Sequence, residues 1–282
     1  MAKNKIKKAA VKIIMIALYT YIGFMVILYT QQRSMLYFPG GQRPVIEDLT
    51  SIIPTIIPVK SDENIEFKAW HWAAKEQMPT LIFFHGNGQD YQYWVNKLMH
   101  YQKRGFGVLF TDYRGYGGVN GKPTEEGIYR DARAHINAIL ETGLKEHNLI
   151  FYGESLGTGV ATQMATEFTP KAVIFESAYS GTNEVAKGRY GMFPIDLLMK
   201  DQYRSIEKIH QLTMPKFFIH AENDNIIPIA YALKLYKAAP EPKTWVTIEK
   251  AGHNNLYDYG AQLHILEFLS TLMSSNKYNK EQ

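Results

Sequence analysis

Six short apolar runs, separated by longer amphipathic stretches, constrain this 282-residue chain more than any other feature. They are L-I-F-F from Leu81, V-L-F from Val108, L-I-F-Y from Leu149, A-V-I-F from Ala172, K-F-F-I from Lys216 and W-V-T-I from Trp245. Each is shorter than a stable helix, and nearly all lack polar alternation, the pattern of a strand buried on both faces. Amphipathic stretches at 91–104, 126–142, 158–168 and 229–238 lie between most of them, and another at 256–273 closes the chain. This alternation predicts an α/β architecture: crossover units that build a mostly parallel central sheet with helices on both faces. The exception is a longer insertion between the fourth and fifth runs, around 180–211, with the size and apolar content of a small lid. Before the first run, Pro39, Pro44, Pro54 and Pro58 predict an extended linker with early edge strands. Apolar residues make up 46% of the chain, ample for one large core.

The first thirty residues are a separate object. Residues 13–29 carry no charge and reach the roughly 17-residue lower limit for a helix that spans a bilayer. A core helix would need a polar face, which this run lacks, and a cleaved signal peptide would need a small-residue site before Gln31, Gln32 and Arg33. The run therefore reads as an uncleaved transmembrane anchor that engages the lipid bilayer, with Lys12 snorkelling and Tyr19, Tyr21 and Tyr29 suited to an interface. Five lysines precede it, so the positive-inside rule predicts a cytoplasmic N-terminus and a main domain on the extracytoplasmic side. The expected division is a tail and anchor at 1–30 and one catalytic domain at 31–282. Those five lysines also account for the net charge of +4: without them, 26 basic residues face 27 acidic ones. No basic footprint for nucleic acid is left. Zero cysteines exclude disulfides, thiolate nucleophiles and cysteine-bound zinc.

The chemistry centres on G-E-S-L-G, Gly153 to Gly157, between the run L-I-F-Y and a helical pattern. A serine on a sharp strand-to-helix turn needs nearly side-chain-free neighbours two positions away on either side, and Gly153 and Gly157 meet that need. Ser155 is thereby predicted as a nucleophile, with the Leu156 N–H at the positive end of the following helix as one oxyanion donor. The run L-I-F-F ends in H-G-N-G, where the Asn87 N–H is the natural second donor. His85 reads as a packing residue.

A serine hydroxyl also needs a base, and the base needs an orienting carboxylate. Asp224 follows K-F-F-I, with Glu222 and Asp201 as rivals; His253 follows W-V-T-I and, of nine histidines, alone has that placement. The glycines near Lys122 fail as a phosphate loop because Pro123 stands where a Ser or Thr should hold magnesium, and Gly157-x-Gly159 lacks the third glycine of a dinucleotide fingerprint. No cofactor and no metal is implied.

Taken together, Q-R-S-M-L-Y-F-P-G, F-F-H-G-N-G, D-Y-R-G-Y-G, Y-G-E-S-L-G-T-G, H-A-E-N-D-N-I-I-P and G-H-N-N-L-Y resemble the α/β-hydrolase-domain serine hydrolases related to eukaryotic membrane-associated depalmitoylases. The resemblance implies the α/β-hydrolase fold, a triad of Ser155, Asp224 and His253, an oxyanion hole at Asn87 and Leu156, and a small acyl ester or acylated substrate. The D-Y-R-G-Y-G segment is expected to be structural. The chain departs from the pattern with G-G-V-N-G after that segment and with Ala221 in place of a common glycine. Two other functions stay open at this point: a serine peptidase or amidase on the same fold, and a non-catalytic anchored binding module. In the insertion, Tyr190, Met192, Phe193, Leu197 and Leu198 would either cover an acyl site or pack the lid itself.

Overall fold

In the computed structural model, which describes residues 2–61, 65–88 and 90–278, the six apolar runs form adjacent strands of one sheet. Two earlier strands, β1 (Thr55–Lys60) and β2 (Glu66–Trp72), precede β3 (Thr80–Phe84), β4 (Gly107–Phe110), β5 (Leu149–Glu154), β6 (Ala172–Glu176), β7 (Lys216–Ala221) and β8 (Lys243–Ile248). The strand order is β1-β2-β4-β3-β5-β6-β7-β8. Strands β1 and β2 pair antiparallel, β2 pairs antiparallel with β4, and every later pairing is parallel. Pro58 lies in β1, an edge strand, where its missing N–H is tolerated. The fold is that of the α/β hydrolases, as the motif set implied.

Successive strand residues point to opposite faces, so each inner strand feeds two cores. Ile82, Phe84, Phe151 and Phe175 join a cluster covered by α3 (Glu125–Glu141), α4 (Leu156–Glu167) and α7 (Ile229–Ala238). Leu81, Phe83, Ile150 and Tyr152 join the other, covered by α2 (Tyr91–Gln102) and α8 (Ala261–Tyr278). Helix starts follow capping chemistry. The Asp90 side chain accepts from the Tyr93 N–H at 2.9 Å to open α2, and Thr124 accepts from the Gly127 N–H at 3.0 Å to open α3.

Two boundaries differ from expectation. The stretch 256–273 is not one helix: Leu256–Tyr259 is a 3₁₀ turn, and Gly260 at φ 86° turns the chain before α8 begins at Ala261. The turn carries Tyr257 inward, where its hydroxyl meets Tyr152 at 2.8 Å and Tyr101 at 2.5 Å. The N-terminal helix α1 (Ala2–Leu36) takes in the basic tail and continues six residues past position 30. Its last turns hold helical geometry because the insertion gives them partners: Arg33 pairs with Asp201 at 2.7 Å, and the Gln32 amide donates to the Leu198 carbonyl at 3.0 Å. That insertion folds as α5 (Thr182–Tyr190), the short α6 (Ile195–Leu198) and two 3₁₀ turns. The last four positions, 279–282, lie outside the described residues.

Phe83 is fully buried and packs its ring against Trp94, Phe110 and Tyr152. Phe83→Ala should therefore lower unfolding stability by about 3–5 kcal/mol, read as a fall in the denaturation midpoint of the purified protein.

Candidate active site

Strand β5 ends in G-E-S-L-G and α4 starts at Leu156, so one residue makes the whole turn. Ser155 takes φ 49° and ψ −117°, a strained backbone for a residue with a side chain. A side chain at Gly157 would put its Cβ 1.9 Å from the Phe84 carbonyl oxygen, and one at Gly153 would come within 2.5 Å of the Gly157 carbonyl oxygen. The elbow thus packs backbone against backbone on the end of β3. The Ser155 N–H is held by the Glu176 carbonyl at 2.9 Å.

The loops after β7 and β8 bring two more predicted residues to this serine. The His253 Nε2 lies 3.0 Å from the Ser155 Oγ, and its Nδ1 lies 2.6 Å from the Asp224 Oδ2. The other Asp224 oxygen accepts the N–H groups of Ile226 at 2.9 Å and Ile227 at 2.7 Å, which clamps the carboxylate in one orientation. Burial pushes this carboxyl up, yet the hydrogen bond with His253 and the bond from Ile227 outweigh it and hold its pKa below the ordinary value. The rivals are occupied elsewhere: Glu222 accepts from the Lys250 N–H at 3.0 Å, and Asp201 pairs with Arg33.

Asn87 and Leu156 line the same cavity as Ser155, whose volume is about 210 Å³. As the first residue of α4, Leu156 has an N–H without a partner inside its helix. The Asn87 carbonyl accepts from the Tyr116 hydroxyl at 2.9 Å and from the Phe38 N–H at 3.1 Å, while its side chain donates to the Leu36 carbonyl at 2.9 Å. His85 is fully buried, bonded at Nδ1 to the Gly86 carbonyl at 2.7 Å and packed on Tyr113. Its ring contacts with Trp94, Tyr113 and Tyr116 make it a packing residue. The D-Y-R-G-Y-G segment is likewise built into the frame: the Arg114 guanidinium meets the Asp131 carboxylate at 2.7 Å and 2.9 Å. The two readings of the insertion divide by residue. Tyr190 and Leu198 line the cavity, Phe193 stacks on Tyr21 of α1, and Met192 and Leu197 are 73% and 84% exposed.

Three residues that sequence reasoning passed over support the site. His220, on β7, donates from Nε2 to the Ile227 carbonyl at 2.9 Å and lies 3.4 Å from Asp224; burial lowers its pKa, which favours the neutral ring. Arg43 stacks its guanidinium 3.3 Å from the Trp70 ring centroid and lies 3.5 Å from Asp112. Beneath the elbow, the buried Lys97 ammonium bridges Glu154 and Glu176, the latter at 2.8 Å. Burial alone would lower the Lys97 pKa, but the two carboxylates raise it above the ordinary value, so the ammonium stays charged. Only its place on the amphipathic α2, in the middle of an apolar face, distinguishes this lysine in the sequence.

Comparisons with known proteins agree on the fold. Residues 79–194 match a family model described as alpha/beta hydrolase fold. An uncharacterized protein of Mycobacterium tuberculosis is 29% identical over 83% of this chain and 84% of its own. The human alpha/beta hydrolase domain-containing protein 17B is 32% identical over 67% of this chain and 65% of its own. Among solved structures, the Pyrococcus furiosus esterase Pf2001 superposes with a TM-score of 0.67 at 17% identity, covering 84% of this chain and 98% of that one. The esterase domain of a Rhodothermus marinus protein gives 0.56 at 21% identity, covering 72% and 91%.

Lys97→Met should leave Glu154 and Glu176 uncompensated and cost about 3–5 kcal/mol of stability. The triple variant Lys97→Met, Glu154→Gln, Glu176→Gln should recover part of that loss, as thermal unfolding of the two proteins would show.

Proposed function

We propose, from the premise that this chain is an α/β-hydrolase-domain protein, that it is a membrane-anchored serine hydrolase which cleaves an ester or thioester through an acyl-enzyme intermediate. One observation carries the reading: an unbroken relay from the Ser155 Oγ through both nitrogens of His253 to a carboxylate already fixed by two backbone N–H groups. Asp224 holds the His253 proton on Nδ1, which leaves Nε2 to accept the serine proton as Oγ attacks the carbonyl carbon. The resulting oxyanion is met by the N–H groups of Leu156 and Asn87. The tetrahedral intermediate collapses when His253 gives its proton to the leaving oxygen or sulfur, and the acyl group remains on Ser155. Water, deprotonated by the same imidazole, then releases the acid and restores the serine. Esterases are among the solved structures that share the fold, which is in keeping with this reaction class.

The anchor belongs to the same proposal. Helix α1 is long and apolar enough to cross a bilayer. Lysines cluster on its N-terminal side, which supports a cytoplasmic N-terminus and a hydrolase domain on the opposite side.

A fluorophosphonate probe should label the wild type and not Ser155→Ala or His253→Ala; a folded wild type that stays unlabelled would sink the reading in favour of a binding module. Asp224→Asn should keep the fold and lower kcat by about 10⁴, because the imidazole then takes the wrong tautomer. In sealed vesicles with the cytoplasmic side inward, added protease should digest the hydrolase domain, and protection of that domain would reverse the orientation.

A further inference from the structure

Helix α1 does not leave the domain at once as a tether. Tyr21, Met25, Leu28, Gln32 and Leu36 are the partly buried positions along its C-terminal half, spaced by three or four residues and so on one face. That face packs on the insertion. The Tyr21 ring stacks on Phe193 with centroids 5.0 Å apart, and its hydroxyl donates to the Met192 carbonyl at 2.8 Å. Gln32 is tied twice to the end of α6 and the turn after it, through the Leu198 carbonyl at 3.0 Å and the Lys200 N–H at 2.6 Å.

The cavity that contains Ser155 is lined on this side by Leu28, Gln32, Met35 and Leu36, all from α1. We propose that α1 is a wall of the substrate site as well as an anchor, and that the cavity receives the apolar chain of its substrate sideways from the bilayer along this helix. The inference rests on the hydrolase reading of Ser155 and adds the path by which substrate reaches it.

Depth supports the path. Tyr21 lies eight residues before the end of the apolar run at Tyr29, about 12 Å along the helix axis at 1.5 Å per residue. The Met192–Phe193 turn that touches Tyr21 therefore lies level with the interior of the run. A tilted α1 brings that turn near the roughly 5–10 Å depth reached by interfacial amphipathic elements. The exposure of Met192 and Leu197 on the same insertion, at 73% and 84%, is costly in water and favourable there. The lid's cations suit the boundary: Lys187 pairs with Asp196 at 2.5 Å, and Lys200 lies 4.2 Å from the Tyr29 ring centroid. An apolar chain lying beside α1 then reaches the cavity without crossing water.

The test uses full-length protein in phosphatidylcholine vesicles and a dodecyl fluorophosphonate with a diazirine at the chain terminus. The phosphonate reports on Ser155 and the diazirine on where the chain lies. The expected result is a Ser155 adduct whose photo-cross-links fall on α1 between positions 21 and 36 and on the facing insertion. A Ser155 adduct with cross-links entirely outside α1 would overturn the inference and leave the hydrolase reading intact, whereas no adduct would overturn both. A second arm compares p-nitrophenyl dodecanoate with the butyrate. Leu28→Trp, which fills the cavity, should lower the dodecanoate-to-butyrate ratio of kcat/KM by about tenfold or more. Leu28→Ala should shift that ratio upward, and Val26→Trp, on the exposed side of α1, should leave it unchanged. Equal ratios in wild type and both Leu28 variants would overturn the assignment.

Discussion

Everything in the site hangs on a contact between two pieces of backbone. The Phe84 carbonyl at the end of β3 stands so close to Gly157 that a Cβ there would come within 1.9 Å of its oxygen. Backbone packed this tightly cannot relax around a side chain, so the β5-to-α4 turn has one available geometry. That geometry sets Ser155 at positive φ and brings the first N–H of α4 beside the loop after β3. The proposed nucleophile and both proposed oxyanion donors are therefore products of a single packing event.

A turn held in a strained conformation needs surroundings that over-determine it. Here they are electrostatic as well as steric. Glu154, the residue before the serine, reaches Lys97 on α2; Lys97 reaches Glu176 on β6; and the Glu176 backbone carbonyl returns to hold the Ser155 N–H. Tyr152, Tyr101 and Tyr257 continue the network by hydroxyl contacts with Glu176 and with one another. Desolvating so many polar groups is unfavourable by itself, and each is retained only because its partners satisfy it. The irregular turn at Leu256–Tyr259 has the same origin. It breaks what the hydrophobic pattern presents as one helix in order to carry Tyr257 into this network.

Much of this was legible in the sequence because it depends on short-range rules. Buried strands need apolar runs, the elbow needs two glycines at fixed spacing, and the carboxylate and histidine that meet Ser155 each follow a particular strand; none of these requires knowledge of distant contacts. The end of α1 was not legible. Gln31, Gln32 and Arg33 follow the apolar run with no local sign of a partner, and it is contacts of Gln32 with Leu198 and Lys200 and of Arg33 with Asp201, over 160 residues away, that align this turn with the insertion. Lys97, Arg43 and His220 escaped notice for a related reason. Each is a common residue type whose role comes from partners on other elements, and periodicity records burial but not pairing.

The same long-range contacts bear on how α1 is held against the domain. The Asn87 side chain donates to the carbonyl of Leu36, the last residue of α1, and the Phe38 N–H returns to the Asn87 carbonyl. The Tyr37 hydroxyl meets that of Tyr203, in the insertion, at 3.0 Å. A helix tied both to the loop after β3 and to the insertion cannot swing freely relative to either. Restricting its motion orders the cavity that all three border, and the ordering is done during folding, not at the moment of binding. The connection between α1 and the site is thus short and direct: it runs through one side-chain and one backbone hydrogen bond at Asn87 and one apolar helix face.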